Sequence, residues 1–324
     1  MFLRPAFKQV FYFKGGVITK IIDLHCDTIS IITEKDISLY SNNCHLDLVR
    51  SLEANILVQF FALFTMPTDS KTAFANIMLQ VEKFLSELEL NQDYIYLVKK
   101  YIDIDLSSNK IGAILHLEGA EAIGTDIELL SLLYRLGLRS LGLTWNHRNL
   151  LADGIGEGID AGGLSKLGKK VIKEMLNLGI ILDLSHISEK AYFEAFDYYD
   201  KPIMVTHSNV RKLCPHPRNL SDDQLKVLAQ NGGVVGINQV SFFTSQNKAS
   251  IDDLIDHIKY IADFIGINHV ALGSDFDGAD EIIMSGIEEY KIWDELLLSH
   301  GFSPEEIDMI LYKNALNVIE RVLT

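Results

Sequence analysis

The sequence predicts an α/β protein with the (β/α)8 architecture of a TIM barrel, in a single domain. Three observations indicate this fold class: eight short apolar runs rich in β-branched residues, amphipathic stretches between them, and polar side chains at their carboxyl ends. Alternating strands and helices imply parallel strands joined by right-handed crossovers. Eight such strands can close into a barrel. A doubly wound open sheet is the alternative.

The strand-type runs are spread over most of the chain. They lie at 17–24, 56–64, 111–117, 140–145, 180–184, 203–206, 234–237 and 269–273. In most of them, the residues that would point to either face of a strand are apolar. This is typical of parallel strands that are covered by helices on one face and by the core on the other.

Helical patterns separate these runs. They lie at 72–88, 127–136, 164–178, 189–196, 222–229, 251–264 and 304–323. Ser188 and Ser221 precede the helical patterns at 189–196 and 222–229 and can cap their first turns. Gly179 and Gly232 follow the patterns at 164–178 and 222–229 and can end those helices. The glycine-rich segment 153–163 does not open a helix directly after a strand. It therefore predicts a loop and not a dinucleotide-binding motif.

The composition limits the class of partner. The chain has 324 residues, of which 48% are hydrophobic, and a formal net charge of −15. The length is sufficient for one large barrel domain. The negative charge argues against a nucleic-acid partner, because phosphate binding requires clustered Lys and Arg. The three cysteines Cys26, Cys44 and Cys214 form no CxxC pair, so a disulfide framework is not expected. Because free cysteines are typical of a reducing compartment, we expect a cytoplasmic location.

The position of the first predicted strand divides the chain into two parts. Residues 1–16 are expected to be an N-terminal extension that can be poorly ordered, and 17–324 to form the barrel domain. No uninterrupted apolar run is long enough for a transmembrane helix, so no membrane partner is expected. The sequence leaves open whether the chain forms a homodimer.

Side chains that bind metals or carry protons follow several of the predicted strands. His25 and Asp27 lie two residues apart in an extended segment, so they are expected to share one face. The other candidates at the strand ends are Glu118, His186, His207 and Asp275. A parallel barrel brings the carboxyl ends of its strands to one face, so these residues are expected to meet there.

Each candidate also has a structural explanation when it is considered alone. A strand-end glutamate such as Glu118 can form a salt bridge, and a buried histidine can serve packing. His116, two residues before Glu118, is predicted to be such a packing histidine in a lower layer of the barrel. The set as a whole contains three carboxylates and three imidazoles on one rim. That set is sufficient for a two-metal site in which a metal-activated water attacks at neutral pH.

Several blocks in order make the chain resemble a known family. The blocks are IDLHCDT (22–28), LEGAEA (117–122), GLSKLG (163–168), LDLSH (182–186), THSN (206–209), HPRN (216–219) and GSDFDG (273–278). With them the chain resembles the membrane dipeptidase, or renal dipeptidase, family of metallopeptidases. This family, peptidase family M19, is part of the metal-dependent amidohydrolase superfamily. The resemblance covers nearly everything from Ile21 onward.

The resemblance implies a barrel that binds two Zn2+ ions. By the family pattern, the first ion is held by His25, Asp27 and Glu118, and the second by Glu118, His186 and His207. A hydroxide that bridges the ions attacks the peptide carbonyl. The native ion could be another divalent metal.

The resemblance also assigns roles beyond the metal ligands. Asp275 resembles the residue that takes the proton of the water and delivers it to the leaving amine. Arg218 resembles the arginine that pairs with the substrate carboxylate, a role that suits a bidentate guanidinium. The implied activity is hydrolysis of dipeptides with a free C-terminal carboxylate, with tolerance of a D-residue at that end.

One position departs from the family pattern. Animal members carry Thr-His after the fourth strand, and that histidine contacts the substrate. This chain has Thr144-Trp145, with His147 two residues further on. Both Trp145 and His147 are therefore candidate substrate-binding residues, and the sequence leaves the contact to the scissile carbonyl open.

Two other functions compete with a zinc dipeptidase. One is another binuclear hydrolase of the superfamily that acts on a phosphoester or a cyclic amide. Such enzymes usually carry His-x-His on the first strand, whereas this chain has His25-x-Asp27. The other is a barrel that binds ligands without catalysis. The presence of the complete set of candidate side chains argues against that interpretation.

Overall fold

The computed structural model describes residues 19–324, and within them nine parallel strands form one sheet. The strands are β1 (Ile21–Cys26), β2 (Ile56–Phe64), β3 (Ile95–Leu97), β4 (Ile111–Glu118), β5 (Leu138–Gly142), β6 (Ile181–Asp183), β7 (Met204–Ser208), β8 (Val234–Ile237) and β9 (Val270–Leu272). Since β1 pairs with both β2 and β9, and β2 pairs with β4, eight strands close into a barrel in the order β1-β2-β4-β5-β6-β7-β8-β9. The predicted (β/α)8 barrel is confirmed.

The ninth strand, β3, was absent from the prediction. It pairs with the first residues of β4, at Ile111–Ala113, whereas β5 pairs with β4 from Leu115 to Glu118. β3 therefore extends one edge of β4 below the point where β5 joins the barrel. Three residues are too few for a periodic signal in the sequence.

Twelve α-helices accompany the strands in the described residues. They are α1 (Thr28–Lys35), α2 (Leu48–Glu53), α3 (Ser70–Leu90), α4 (Glu128–Leu136), α5 (Lys166–Leu178), α6 (Glu189–Ala195), α7 (Asp222–Asn231), α8 (Ser241–Thr244), α9 (Ile251–Ile265), α10 (Trp293–Ser299), α11 (Pro304–Asp308) and α12 (Asn314–Val322). The predicted helices correspond to α3, α4, α5, α6, α7, α9 and the pair α11–α12. α1 was missed because its sequence, TISIITEK, is rich in β-branched residues that favour strands.

The helix ends confirm the predicted caps. The Ser188 side chain accepts a hydrogen bond from the backbone N–H of Ala191, and Ser221 forms a capping box with Gln224. Gly179 and Gly232 have φ angles of 71° and 79°, the left-handed conformation that ends a helix without a steric cost for glycine. The single helix predicted for 304–323 is instead interrupted by one wide π-type turn at Met309–Lys313.

The strands lie deep in the core. Every residue of β1 and of β4 is buried, including the polar side chains His25, His116 and Glu118. Buried polar groups require a partner or a ligand, so these three mark the region where function is expected. Among residues 19–324, no helix combines the length and the apolar character that crossing a membrane requires. The predicted extension at 1–16 lies outside the described residues.

Candidate metal centre and active site

A cavity of about 910 Å3 opens at the carboxyl ends of the strands. Seven of the predicted site residues line it: Asp27, Glu118, Trp145, His147, His186, Arg218 and Asp275. The remaining two, His25 and His207, are fully buried directly beneath it. The predicted convergence of distant residues on one mouth of the barrel is therefore observed.

Glu118 lies between two groups of potential ligands. Its Oε2 is 3.6 Å from Nε2 of His25, which in turn is 3.1 Å from Oδ2 of Asp27. Its Oε1 is 2.9 Å from Nε2 of His186 and 3.5 Å from Nε2 of His207. Each carboxylate oxygen thus faces a different group, as a bridging ligand requires.

The strands and loops hold these side chains differently. His25 and His207 lie within β1 and β7, and Glu118 is the last residue of β4. His186, by contrast, lies three residues beyond β6 and has a φ angle of 62°, which is uncommon for a residue with a side chain. This left-handed turn directs the imidazole back over the barrel, and such strained positions are frequent at functional sites.

The outer nitrogens of two imidazoles are held by hydrogen bonds. His186 Nδ1 lies 2.8 Å from Oδ1 of Asn146. His207 Nδ1 lies 2.8 Å from the Thr206 hydroxyl, which itself donates to Oδ2 of Asp183 at 2.7 Å. An oxygen that accepts at Nδ1 fixes the proton there and leaves the Nε2 lone pair free, the arrangement found around metal-binding histidines.

The donor set fits divalent metal ions. The Nε2 atoms of His186 and His207 are only 2.8 Å apart and both face Glu118, so their lone pairs would repel one another without a cation. Within the described part of the chain, His25 Nδ1 and Asp27 Oδ1 are buried and have no hydrogen-bond partner. The residues group into sets that could hold an ion: His25-Asp27-Glu118, Glu118-His186-His207 and His25-His207-Asp275.

Burial and mutual charge shift the pKa values of these groups. Burial would raise the pKa of Glu118, but the charge of His25 and the hydrogen bond from His186 more than offset it and hold the pKa well below its usual value. Burial and the neighbouring charge of Glu118 raise the pKa of Asp27 to about 7. Burial also lowers the pKa of His186 and of His207. Neutral imidazoles are the form that binds metal.

Asp275 lies next to this cluster, near the start of the loop after β9. Its φ angle is 62°, and its backbone N–H donates to the carbonyl of His25 at 3.2 Å. Oδ1 lies 4.0 Å from Nε2 of His25, whereas Oδ2 accepts a hydrogen bond from Nδ2 of Asn238 at 2.8 Å. The carboxylate is therefore held next to the proposed ligands and is accessible from the cavity.

Arg218 supplies a buried cation to the cavity wall. Its Nη2 donates to the carbonyl of His207 at 3.0 Å, and its Nε is buried with no hydrogen-bond partner in residues 19–324. Burial lowers the pKa of the guanidinium. A buried and incompletely paired guanidinium that lines a cavity is suited to bind an anionic group.

Trp145 and His147 both reach the cavity, although the strand predicted at 140–145 lies earlier in the chain, at Leu138–Gly142. β5 ends at Gly142, so both residues lie in the following loop. The Trp145 ring is 6.0 Å from the ring of His186 and 5.5 Å from that of His147. Trp145 is half-buried, whereas His147 is exposed at the mouth.

His116 is outside the candidate metal sets, in agreement with its predicted packing role. Its Nδ1 lies 2.9 Å from the hydroxyl of Ser140, and its Nε2 lies 3.5 Å from Oδ2 of Asp183. Burial lowers its pKa to about 4. The ring is 5.4 Å from that of His25, so it supports the ligand from below.

Two residues that contact the site were not predicted from the sequence. Asn146 and Asn238 hold His186 and Asp275, respectively. Asn238 directly follows β8, so the rule that polar residues follow strands could have identified it. Asn146 lies in a loop, and no signal in the sequence indicated its contact with His186.

Comparison with known proteins identifies the family. A family model described as membrane dipeptidase (peptidase family M19) matches residues 17–324. The dipeptidase tcpJ of Claviceps purpurea is 29% identical over 295 residues, which cover 86% of this chain and 69% of that relative. The dipeptidase aclJ of Aspergillus oryzae is 36% identical over 220 residues, which cover 66% of this chain and 52%, about half, of that relative.

A solved structure agrees with this match. The metallo peptidase from Rhodobacter sphaeroides, bound to a phosphinate mimic of the dipeptide L-Ala-D-Ala, superposes with a TM-score of 0.89 and 26% sequence identity. The superposition covers 94% of this chain and 100% of that one. The resemblance found in the sequence is thereby confirmed. The chain belongs to the membrane dipeptidase family, peptidase family M19, and is a hydrolase of peptide bonds.

Proposed function

We propose that this chain is a zinc-dependent dipeptidase that hydrolyses dipeptides with a free C-terminal carboxylate. One observation carries the proposal: the two oxygens of Glu118 face separate groups of ligand atoms, at 3.6 Å from His25 and at 2.9 Å from His186. A bridging carboxylate between two groups of nitrogen and oxygen donors is suited to a pair of divalent ions.

The ligand types favour zinc. His25, Asp27 and Glu118 would hold one ion, and Glu118, His186 and His207 the other. Imidazole and carboxylate are common zinc ligands, and protein sites that keep an open position for water are catalytic. Bound there, the two ions would polarise the peptide carbonyl and lower the pKa of a shared water molecule toward neutrality.

Asp275 is the proposed proton carrier. As the water oxygen bonds to the carbonyl carbon, Asp275 would accept the water proton. It would then deliver that proton to the amine nitrogen as the carbon–nitrogen bond breaks. The hydrogen bond from Asn238 to Oδ2 leaves Oδ1 facing the cluster, 4.0 Å from Nε2 of His25, so this oxygen is the one suited to proton transfer.

Arg218 is the proposed partner of the substrate carboxylate. The guanidinium is buried, lines the cavity and keeps Nε without a partner among the described residues, so it can form a further hydrogen bond to an anion. Trp145 and His147 are proposed to contact the rest of the dipeptide, since both line the same cavity. Because the R. sphaeroides relative binds a mimic of L-Ala-D-Ala, we extend the proposal to dipeptides that end in a D-residue.

The cellular setting is also a proposal. Cys26, Cys44 and Cys214 are all free thiols, which is typical of proteins in a reducing cytoplasm. We propose further that the catalytic domain comprises residues 17–324 and that residues 1–16 are an N-terminal extension to it.

A dipeptide-library screen with and without chelator tests the function directly. We expect hydrolysis that a chelator abolishes and added zinc restores, together with about two zinc ions per chain after gentle purification. Glu118→Gln should lose both activity and metal. Glu121→Gln is the matched control. Glu121 is also buried, but its Oε1 accepts a hydrogen bond from Nδ2 of Asn149, and Glu121 belongs to none of the candidate metal groups.

The outcomes separate the competing functions. A protein that binds less than about one ion per chain and hydrolyses no dipeptide would be a barrel that only binds ligands. A protein that binds two ions and cleaves phosphoesters or cyclic amides, but no dipeptide, would be another hydrolase of the superfamily. Either result would overturn the proposal.

A further inference from the structure

Three aromatic rings form one wall of the cavity beside Arg218. This aromatic wall consists of His216, Phe242 and Phe243, all of which line the cavity. The ring of Phe243 lies 4.5 Å from those of His216 and Phe242, and the rings of His216 and Phe242 are 5.8 Å apart. The Phe242–Phe243 pair is T-shaped, one of the preferred geometries of aromatic pairs.

Two separate segments form the aromatic wall and hold it next to Arg218. His216 and Arg218 belong to the loop after β7, whereas Phe242 and Phe243 lie in the short helix α8 after β8. Nδ2 of Asn219 donates to the carbonyl of Phe243 at 2.7 Å and joins the two segments. The Phe243 ring centroid lies 5.5 Å from Cζ of Arg218. These contacts therefore fix the position of the aromatic wall relative to the guanidinium of Arg218.

The His216 ring forms part of this wall as a neutral, oriented group. Its Nδ1 accepts a hydrogen bond from the backbone N–H of Arg218 at 3.2 Å, so the proton of the neutral ring is on Nε2. Burial and the charge of Arg218 lower the pKa of His216 and favour this neutral form. The wall therefore adds no second positive charge next to Arg218 and presents a largely apolar face.

Phe242 is an exposed aromatic residue on the wall of the cavity. Nearly half of its surface, 49%, is accessible, although it packs against the rings of His216 and Phe243. A ring in this position can cover more apolar surface when a ligand enters. Burial of one further side chain against aromatic rings is a favourable contribution to binding.

We propose that the aromatic wall binds the side chain of the substrate's C-terminal residue, so that the enzyme prefers dipeptides ending in an aromatic or large aliphatic residue. The inference rests on the proposed dipeptidase function and on Arg218 as the carboxylate partner. A carboxylate paired with a guanidinium lies about 4 Å from Cζ. The side chain of that residue begins only one bond beyond the α-carbon. It therefore starts within reach of the Phe243 ring.

Outside the aromatic wall, the cavity lining includes Trp145 and His147, which are proposed to contact the rest of the dipeptide, and two aliphatic residues. Met66 and Leu79, from the side of the cavity built by β2 and α3, are flexible aliphatic side chains with 61% and 63% of their surface exposed. The aromatic wall is thus expected to select for the C-terminal residue and not for the N-terminal one.

Steady-state kinetics on the zinc-loaded enzyme test this inference. We expect kcat/KM for Ala-Phe to exceed that for Ala-Ala by about 10-fold or more, the usual effect of additional apolar groups in a fitted pocket. Phe242→Ala should reduce this preference to roughly two-fold or less by the same reasoning. It should leave the ratio of Phe-Ala to Ala-Ala unchanged.

Two control variants locate the effect. Phe264→Ala removes another half-exposed phenylalanine, on α9 and outside the cavity lining, and should leave all kinetic ratios as in the wild type. Leu79→Ala changes a cavity residue outside the aromatic wall and should leave the preference for Ala-Phe over Ala-Ala intact. Zinc content should be the same in all variants, which shows that the metal centre is preserved.

The failure of this inference is distinguishable from failure of the proposed function. If the zinc-loaded enzyme hydrolyses no dipeptide, the proposed function is overturned and the inference with it. If dipeptides are hydrolysed but Ala-Phe and Ala-Ala react equally well, or if the preference for Ala-Phe survives Phe242→Ala, the inference alone is overturned.

Discussion

The side-chain amide of Asn238 donates a hydrogen bond from Nδ2 to Oδ2 of Asp275 over 2.8 Å. The nitrogen and oxygen of this amide cannot exchange positions, because Oδ1 accepts a hydrogen bond from the backbone N–H of Val240 at 2.6 Å. The backbone N–H of Asn238 also donates to Oδ1 of Asn209 at 3.1 Å. Asn238 therefore holds the Asp275 carboxylate in one orientation, and β8 supports the proposed proton carrier that follows β9.

Replacing Asn238 with alanine tests whether this orientation matters. Without the donor, the Asp275 carboxylate can rotate away from the cluster, so kcat should fall by about 10- to 100-fold, as is typical for residues that support an active site. KM and zinc content should change little, because Asn238 belongs to none of the candidate metal groups and does not line the cavity. Steady-state kinetics and metal analysis provide the measurement.

Asn247→Ala is the matched control for Asn238→Ala. Asn247 is exposed in the loop after α8 and lies outside the cavity lining, so the variant should behave as the wild type. An unchanged kcat in Asn238→Ala would show that Asp275 needs no support. A loss of zinc in that variant would instead indicate damage to the metal centre.

Converting Asp275 to asparagine tests the proton carrier itself. The amide keeps the size of the side chain and can still contact Asn238, but it cannot accept the water proton. We expect kcat to fall by about 100- to 10,000-fold, the contribution typical of a positioned acid or base. Bound zinc, measured by elemental analysis, should be retained. Asp280→Asn, at an exposed position of the same loop, is the control.

Arg218→Met tests carboxylate recognition by comparing two substrate types. Loss of a charged hydrogen-bond donor costs about 1.5–3 kcal/mol, so KM for dipeptides should rise roughly 10- to 100-fold. KM for the carboxyl-amidated analogues should change much less, since these lack the anion. Equal changes for both would remove Arg218 from carboxylate recognition. Arg135→Met, on the exposed face of α4, controls for the lost charge.

The strand-end residues of the site were predictable, whereas the groups that orient them were not. His25, Glu118 and His207 follow from apolar runs that end in ligand-type side chains, because a parallel barrel brings such ends to one face. The contact of Asn146 with His186 depends on the path of an irregular loop. No periodicity in the sequence encodes that path.

The limits of the fold prediction have similar causes. β3 pairs with β4 over only three residues, and the β-branched sequence of α1 resembles a strand. In both segments the tertiary contacts decide the conformation and override the local propensity. β2 and β8, by contrast, were predicted with the observed boundaries because they are apolar, apart from Gln59 in β2, and end at clear polar or turn residues.

The Thr206 hydroxyl provides a last test, because it connects Asp183 to the proposed ligand His207. It donates to Oδ2 of Asp183 at 2.7 Å and lies 2.8 Å from Nδ1 of His207. Thr206→Val keeps the shape of the side chain but removes this link, so His207 loses the acceptor that fixes its tautomer. We expect zinc affinity to weaken by about 10- to 100-fold.

Titration with a competing chelator measures this affinity in the variant and in Thr125→Val. Thr125 is exposed, and its hydroxyl contacts only the neighbouring Asp126 among the described residues, so the control should bind zinc as the wild type does. The barrel should remain folded in both variants, as judged by circular dichroism. Because activity requires the metal, Thr206→Val should recover most of its turnover at saturating zinc. A turnover that stays low when the site is filled would mean that Thr206 acts on the reaction and not on the ligand.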